Sequence, residues 1–124
     1  MHLVPKERRN RRILEDERVC QAIEAVGEPA NVAAWAGRFA LLGDPTRLAL
    51  LLAIAHAGPI SVTDLAVAVD TNDTTVSQAL RLLRAAGTVV PRRDGRIIRY
   101  ELADGLVGRL LRNVSGPVAR RRHA

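Results

Sequence analysis

At 124 residues, 48% of them apolar, the chain has room for one domain with its own core and is too apolar to be disordered throughout. No apolar run nears the ~18 residues of a membrane span, no signal-peptide stretch opens the chain, and one Cys excludes an internal disulfide framework. A cytoplasmic protein with no membrane partner is expected, and a net charge of +6 that gathers over 1–12, 71–102 and 103–124 points to an anionic partner, nucleic acid first.

Residues 1–12 read as a flexible basic arm, 13–113 as the folded domain, and 114–124, with Arg120, Arg121 and Arg122, as a flexible basic tail. Val19, Ile23 and Val26 share one stripe of a helix over 13–26, which Gly27-Glu28-Pro29 breaks. Val32, Trp35, Phe39 and Leu42 share a face of a second helix, about 30–42, and bring two of the three aromatic residues together. Asp44 before Pro45 is a strong helix start, because the side chain accepts from orphan N–H groups and Pro needs no donor at the first position. Leu48, Leu51, Leu52 and Ala55 mark the buried face of that helix, and Gly58-Pro59 stops it. Ser61 caps a short helix of about 61–69, Asp70-Thr71-Asn72 is a turn, and Asn72 or Asp73 caps a helix of about 73–86 that Gly87 ends.

The pattern then turns β-prone. Thr88–Arg93 and Arg96–Leu102 flank Asp94-Gly95, which reads as a two-residue hairpin loop with both positions at positive φ. Pro91 cannot donate to a ladder and belongs on an edge. A last helix, about 103–113, presents Leu106, Val107, Leu110 and Leu111.

Two helices across a tight turn, followed by a basic hairpin, make the expected fold mainly α with a β-hairpin wing: a winged helix-turn-helix, dimeric. On the helix at 73–86, Val76, Leu80 and Leu83 form the inward stripe, while Thr74, Ser77, Gln78 and Arg81 form an outward one. Short polar groups and one Arg, without Glu or Lys, suit the reading of base edges, since Gln pairs bidentately with adenine and Arg with guanine. Candidate contacts to double-stranded DNA are therefore Thr74, Thr75, Ser77, Gln78 and Arg81, with Arg92, Arg93, Arg96 and Arg99 of the hairpin on phosphates. The alternative for the hairpin is an Arg-rich loop held by ion pairs, for which only Asp94 and Glu101 are near in sequence. Trp35, Phe39, Leu106, Leu110 and Leu111 exceed what one small core needs and are the expected homodimer surface. No nucleophile–base pair, carboxylate pair or phosphate-cradling loop marks an enzyme, and a winged-helix module that binds protein rather than DNA is the rival reading.

Four stretches carry a resemblance: Leu42-Gly43-Asp44-Pro45-Thr46-Arg47, Val76-Ser77-Gln78-Ala79-Leu80, Leu82-Leu83-Arg84-Ala85-Ala86-Gly87 and Asp94-Gly95-Arg96-Ile97-Ile98-Arg99-Tyr100. In this order and spacing, over about 36–113, the chain resembles the ArsR/SmtB family of bacterial winged-helix transcriptional repressors. The resemblance implies a homodimer built through the first and last helices, and release of DNA when a metal ion or another inducer binds; a two-fold dimer in turn calls for an inverted-repeat operator. Ala79 departs from it, since many members have His there.

The sensor positions that the resemblance implies are largely without ligands. The thiolate pair near the helix-turn-helix falls on Ser61 and Thr63, and the paired cysteines of the recognition helix fall on Leu82 and Ala86. In the last-helix site Asp104 matches but Leu106 replaces His. Outside these positions, Asp16 and Cys20 lie at i, i+4 on one helix face, and His2 with the amino terminus adds nitrogen donors. That set would suit a nickel, cobalt or zinc ion, and a metal-responsive repressor using these N-terminal ligands is the second alternative; Cys20 as a small core residue is the plain one.

Overall fold

The computed structural model describes residues 3–114 and 116, and the chain divides into two compact units, 1–39 and 40–124. In the first, residues 3–12, expected as a flexible arm, carry local structure. Lys6–Arg8 forms a 3-10 turn, Val4 is only 3% exposed, and the Leu3 N–H donates to Cys20 Sγ at 3.2 Å. Helix α1 is Asp16–Val26, three residues shorter than the periodicity predicts, and Glu15 at its start supplies no side-chain cap. It ends at Gly27, whose φ of +66° is open to glycine and whose N–H donates to the Ile23 carbonyl. Helix α2, Pro29–Leu42, has every residue from 31 to 40 exposed. On it the Trp35 and Phe39 rings lie 6.1 Å apart, and the Arg38 guanidinium sits 4.9 Å over Trp35.

The second unit holds α3 (Pro45–Ala57), β1 (Ile60–Ser61), α4 (Val62–Ala68), α5 (Asp73–Ala85), β2 (Val89–Asp94), β3 (Ile97–Leu102) and α6 (Gly105–Arg112). Side-chain caps fix the helix starts. Asp44 accepts from the Arg47 N–H, Ser61 from Asp64, Asn72 from Thr75, and Asp104 from both Leu106 and Val107. Leu50, Leu51, Leu65, Val76, Leu80, Leu83 and Val89 fill the core between these elements with side chains fully removed from water. Arg47 turns back on the end of α2, its Nε donating to the Leu41 carbonyl at 3.0 Å, so this motif residue serves the fold.

In the second unit the structure corrects three expectations. The sheet has three strands in the order β1-β3-β2, because Ile60 and Ser61 pair antiparallel with Tyr100 and Arg99. The two-residue loop of the hairpin is Gly95-Arg96, since Asp94 pairs with Ile97, and only Gly95 takes positive φ, at +63°. A loop with glycine at the first central position needs just that one left-handed residue. Leu111, expected at the dimer surface, is 2% exposed and packs in the core beside Val107, so the outer ridge of α6 is Leu106 and Leu110. Among the described residues, no single helix is long and apolar enough to cross a membrane.

Candidate nucleic-acid interface

The turn between α4 and α5 is held from both sides. Asp70 takes a left-handed φ of +56°, a conformation that Asp tolerates better than most residues, and the Thr71 N–H reaches back to the Ala66 carbonyl at 2.9 Å. Asn72 caps α5 through the Thr75 N–H at 2.8 Å, and the Thr63 hydroxyl donates to Asp73 at 3.3 Å, tying the start of α4 to the start of α5. With the two helices so fixed, Val76, Ala79, Leu80 and Leu83 face the core. Thr74, Ser77, Gln78 and Arg81 all remain exposed on the other side, and Thr75 between them is half-buried with its N–H spent on the cap. The small Ala79 also belongs to the buried stripe, at a position the sequence pattern left unassigned.

In the wing, the register sets Arg92 directly opposite Arg99. Two like charges across a ladder repel, and each is answered by a diagonal acid. Arg92 Nη1 lies 3.3 Å from Glu101 Oε2, and Arg99 Nη1 lies 2.6 Å from Asp94 Oδ2. The ion-pair reading therefore holds for two of the four arginines. Among the described residues, Arg93 and Arg96 make no ion pair, and both are exposed. The four candidates thus divide into a restrained pair on one face of the hairpin and an unrestrained pair at its tip.

The metal-ligand candidates are not brought together. Asp16 is exposed on α1, Cys20 is half-buried there and accepts from Leu3, and His2 lies outside the described residues. Among the described residues there is no group of three or more His, Cys, Asp or Glu placed to hold an ion. The sensor positions implied by the family resemblance are occupied with structural work. Ser61 Oγ caps α4, Thr63 donates to Asp73, and Asp104 caps α6. His56 is likewise engaged, its Nε2 3.3 Å from the carbonyls of Leu111 and Val114.

A two-helix motif across a tight turn, closed by a three-stranded sheet with a projecting hairpin, defines a winged helix-turn-helix protein. The comparisons agree: a family model described as a helix-turn-helix domain matches residues 42–91. A transcriptional repressor, the SmtB homolog of Synechocystis sp., is 43% identical over 77 residues, 62% of this chain and 58% of its own length. The solved homodimeric winged helix-turn-helix DNA-binding domain from Mycobacterium bovis, a possible ArsR-family transcriptional regulator, is 32% identical, with 70% of this chain and 83% of that one covered and a TM-score of 0.55. The antimony-specific transcriptional repressor AntR is 28% identical over 90% of this chain and 88% of its own, with a TM-score of 0.64. The chain belongs to the ArsR/SmtB family, a family of transcriptional regulators and not of enzymes. It spans less than two thirds of the length of the curated relatives it matches.

Proposed function

We propose that this chain is a homodimeric repressor that occupies double-stranded DNA at an inverted-repeat operator, with α5 in the major groove and the wing on the backbone. The observation that carries the reading is the two-sided α5. Its apolar stripe is sunk in the core while Thr74, Ser77, Gln78 and Arg81 are all presented outward from a helix whose N-terminus is pinned by Asn72. A gel shift with the DNA upstream of its own gene, against a random duplex at several salt concentrations, tests it. A slower band on the upstream DNA at salt that abolishes the random complex is expected, and equal affinity for both would overturn the reading.

The dimer rests on apolar surface that the single chain leaves uncovered. Trp35 and Phe39 of α2 and Leu106 and Leu110 of α6 are all exposed large side chains. A similar solved domain is homodimeric. Leu110→Asp would place an unpaired charge on the exposed ridge of α6, so sedimentation should show a monomer where the parent chain is a dimer at micromolar concentration. A parent chain that sediments as a monomer would remove the dimer from the proposal.

The metal sites of the family do not fit the residues present, since the Ser61 hydroxyl that caps α4, the Thr63 hydroxyl that donates to Asp73, and the aliphatic Leu82, Ala86 and Leu106 cannot replace thiolate or imidazole. We expect calorimetric titration with nickel, cobalt or zinc to show no tight binding at these positions, and any binding that does occur to be lost in Cys20→Ser. Tight binding that survives Cys20→Ser would refute this assignment.

A further inference from the structure

We propose that Asp94 and Glu101 are specificity-determining residues of the wing, which hold Arg99 and Arg92 off the DNA backbone and so suppress binding to arbitrary sequence. The inference rests on the DNA-binding reading and gives two acids, so far only ion-pair partners, a part in it. Arg92, Arg93 and Arg99 line, with Asp94 and Pro59, a half-open hollow of about 320 Å³ on the wing, with room for a backbone phosphate and a net positive lining to attract one. Asp94 itself lines this cavity, and its carboxylate stands 2.6 Å from Arg99, where a phosphate oxygen would have to sit. Glu101 holds Arg92 in the same way from the other end of the ladder.

The restraint is reversible. Asp94 is 77% exposed, and exposed ion pairs are weak, so a phosphate held in place by correct base contacts elsewhere can displace the carboxylate. Without those contacts the exchange is less favoured, and Arg93 and Arg96 do most of the gripping of the backbone. The acids thus lower affinity for random duplex more than for the operator, which is discrimination by an unfavourable contact rather than by a favourable one.

Salt-dependent binding of the full chain tests this, using fluorescence anisotropy on a random duplex and on the upstream DNA. Each released phosphate contact adds about 0.9 to the slope of log affinity against log salt. Asp94→Asn should therefore steepen the random-duplex slope by about 0.9, so that its complex weakens by a further ~3-fold between ~50 and ~200 mM salt, and should narrow the ratio of upstream to random binding. Asp94→Asn made in an Arg99→Ala background should change neither slope nor ratio, because the acid acts through that arginine. A general effect of one lost negative charge would persist in the double variant and would overturn the proposal. So would an Asp94→Asn slope equal to the parent's, as expected of an acid that serves only to steady the hairpin. Should the parent chain bind no duplex at all, the repressor reading falls and takes this inference with it. A parent that binds with the acids silent sinks the inference alone.

Discussion

Leu80→Ala should destabilise the protein by about 2–5 kcal/mol, whereas Leu82→Ala, two residues along the same helix, should change stability by no more than about 0.5 kcal/mol. Leu80 is 1% exposed and lies among Val76, Leu83 and the core residues of α3, while Leu82 is 57% exposed. Truncating Leu80 removes buried methyl groups and leaves a void in a core that is closed by helices on several sides, so little of the loss can be recovered by collapse. Truncating Leu82 removes a side chain already in water, and Ala is the better helix former. In a domain of this size the first change should lower the melting temperature by at least ~8 °C and the second by no more than ~4 °C. The pair isolates helix phase from composition, since residue type, helix and substitution are all the same. Equal losses would mean that the inward and outward faces of α5 are wrongly placed, and the proposed DNA-reading stripe with them.

That phase was legible from sequence because α5 obeys a local rule: a capping Asn, a 3.6-residue apolar period, and a glycine after the last turn. The same rule placed α3 through Asp44-Pro45 and α4 through Ser61, and both caps carry the expected bonds to backbone N–H groups. What was not legible depends on contacts distant in the chain. Strand β1 is two residues long, too short for any period, and exists only because β3 offers Ile60 and Ser61 an open edge. Leu111 and Leu110 are equivalent in composition and adjacent in sequence, and only the packing of α6 separates the core residue from the exposed one. The hairpin loop slipped by one residue because Asp-Gly is a statistical signal, while register is settled by which pairs close the ladder. In the candidate site, the presence of Arg92 and Arg99 could be read from sequence. Asp94 and Glu101 could be named as ion-pair partners too, but which arginine each would hold could not, because that diagonal pairing follows from the same register.

Gln78→Ala and Arg81→Ala should each reduce the preference for the operator over random duplex by ~5–150-fold, the equivalent of about 1–3 kcal/mol for a good bidentate base contact. Both side chains are exposed on the face of α5 opposite Val76, Leu80 and Leu83, and a helix laid in the major groove brings such a face to the base edges. Removing either should leave binding to random duplex nearly as it was, since a base contact contributes little where the base is wrong. Arg93→Ala and Arg96→Ala should behave in the opposite way. Both are exposed and outside the wing's ion pairs, so their loss should weaken operator and random DNA alike and reduce the salt slope by about one each. Arg92→Ala and Arg99→Ala should move the random-duplex slope less, because each guanidinium there still faces a carboxylate. Titrating all six variants against the two duplexes at three salt concentrations separates the classes. If Gln78→Ala lowered affinity for both duplexes by the same factor, α5 would be gripping the backbone rather than reading bases, and the discrimination would have to come from the shape of the DNA instead.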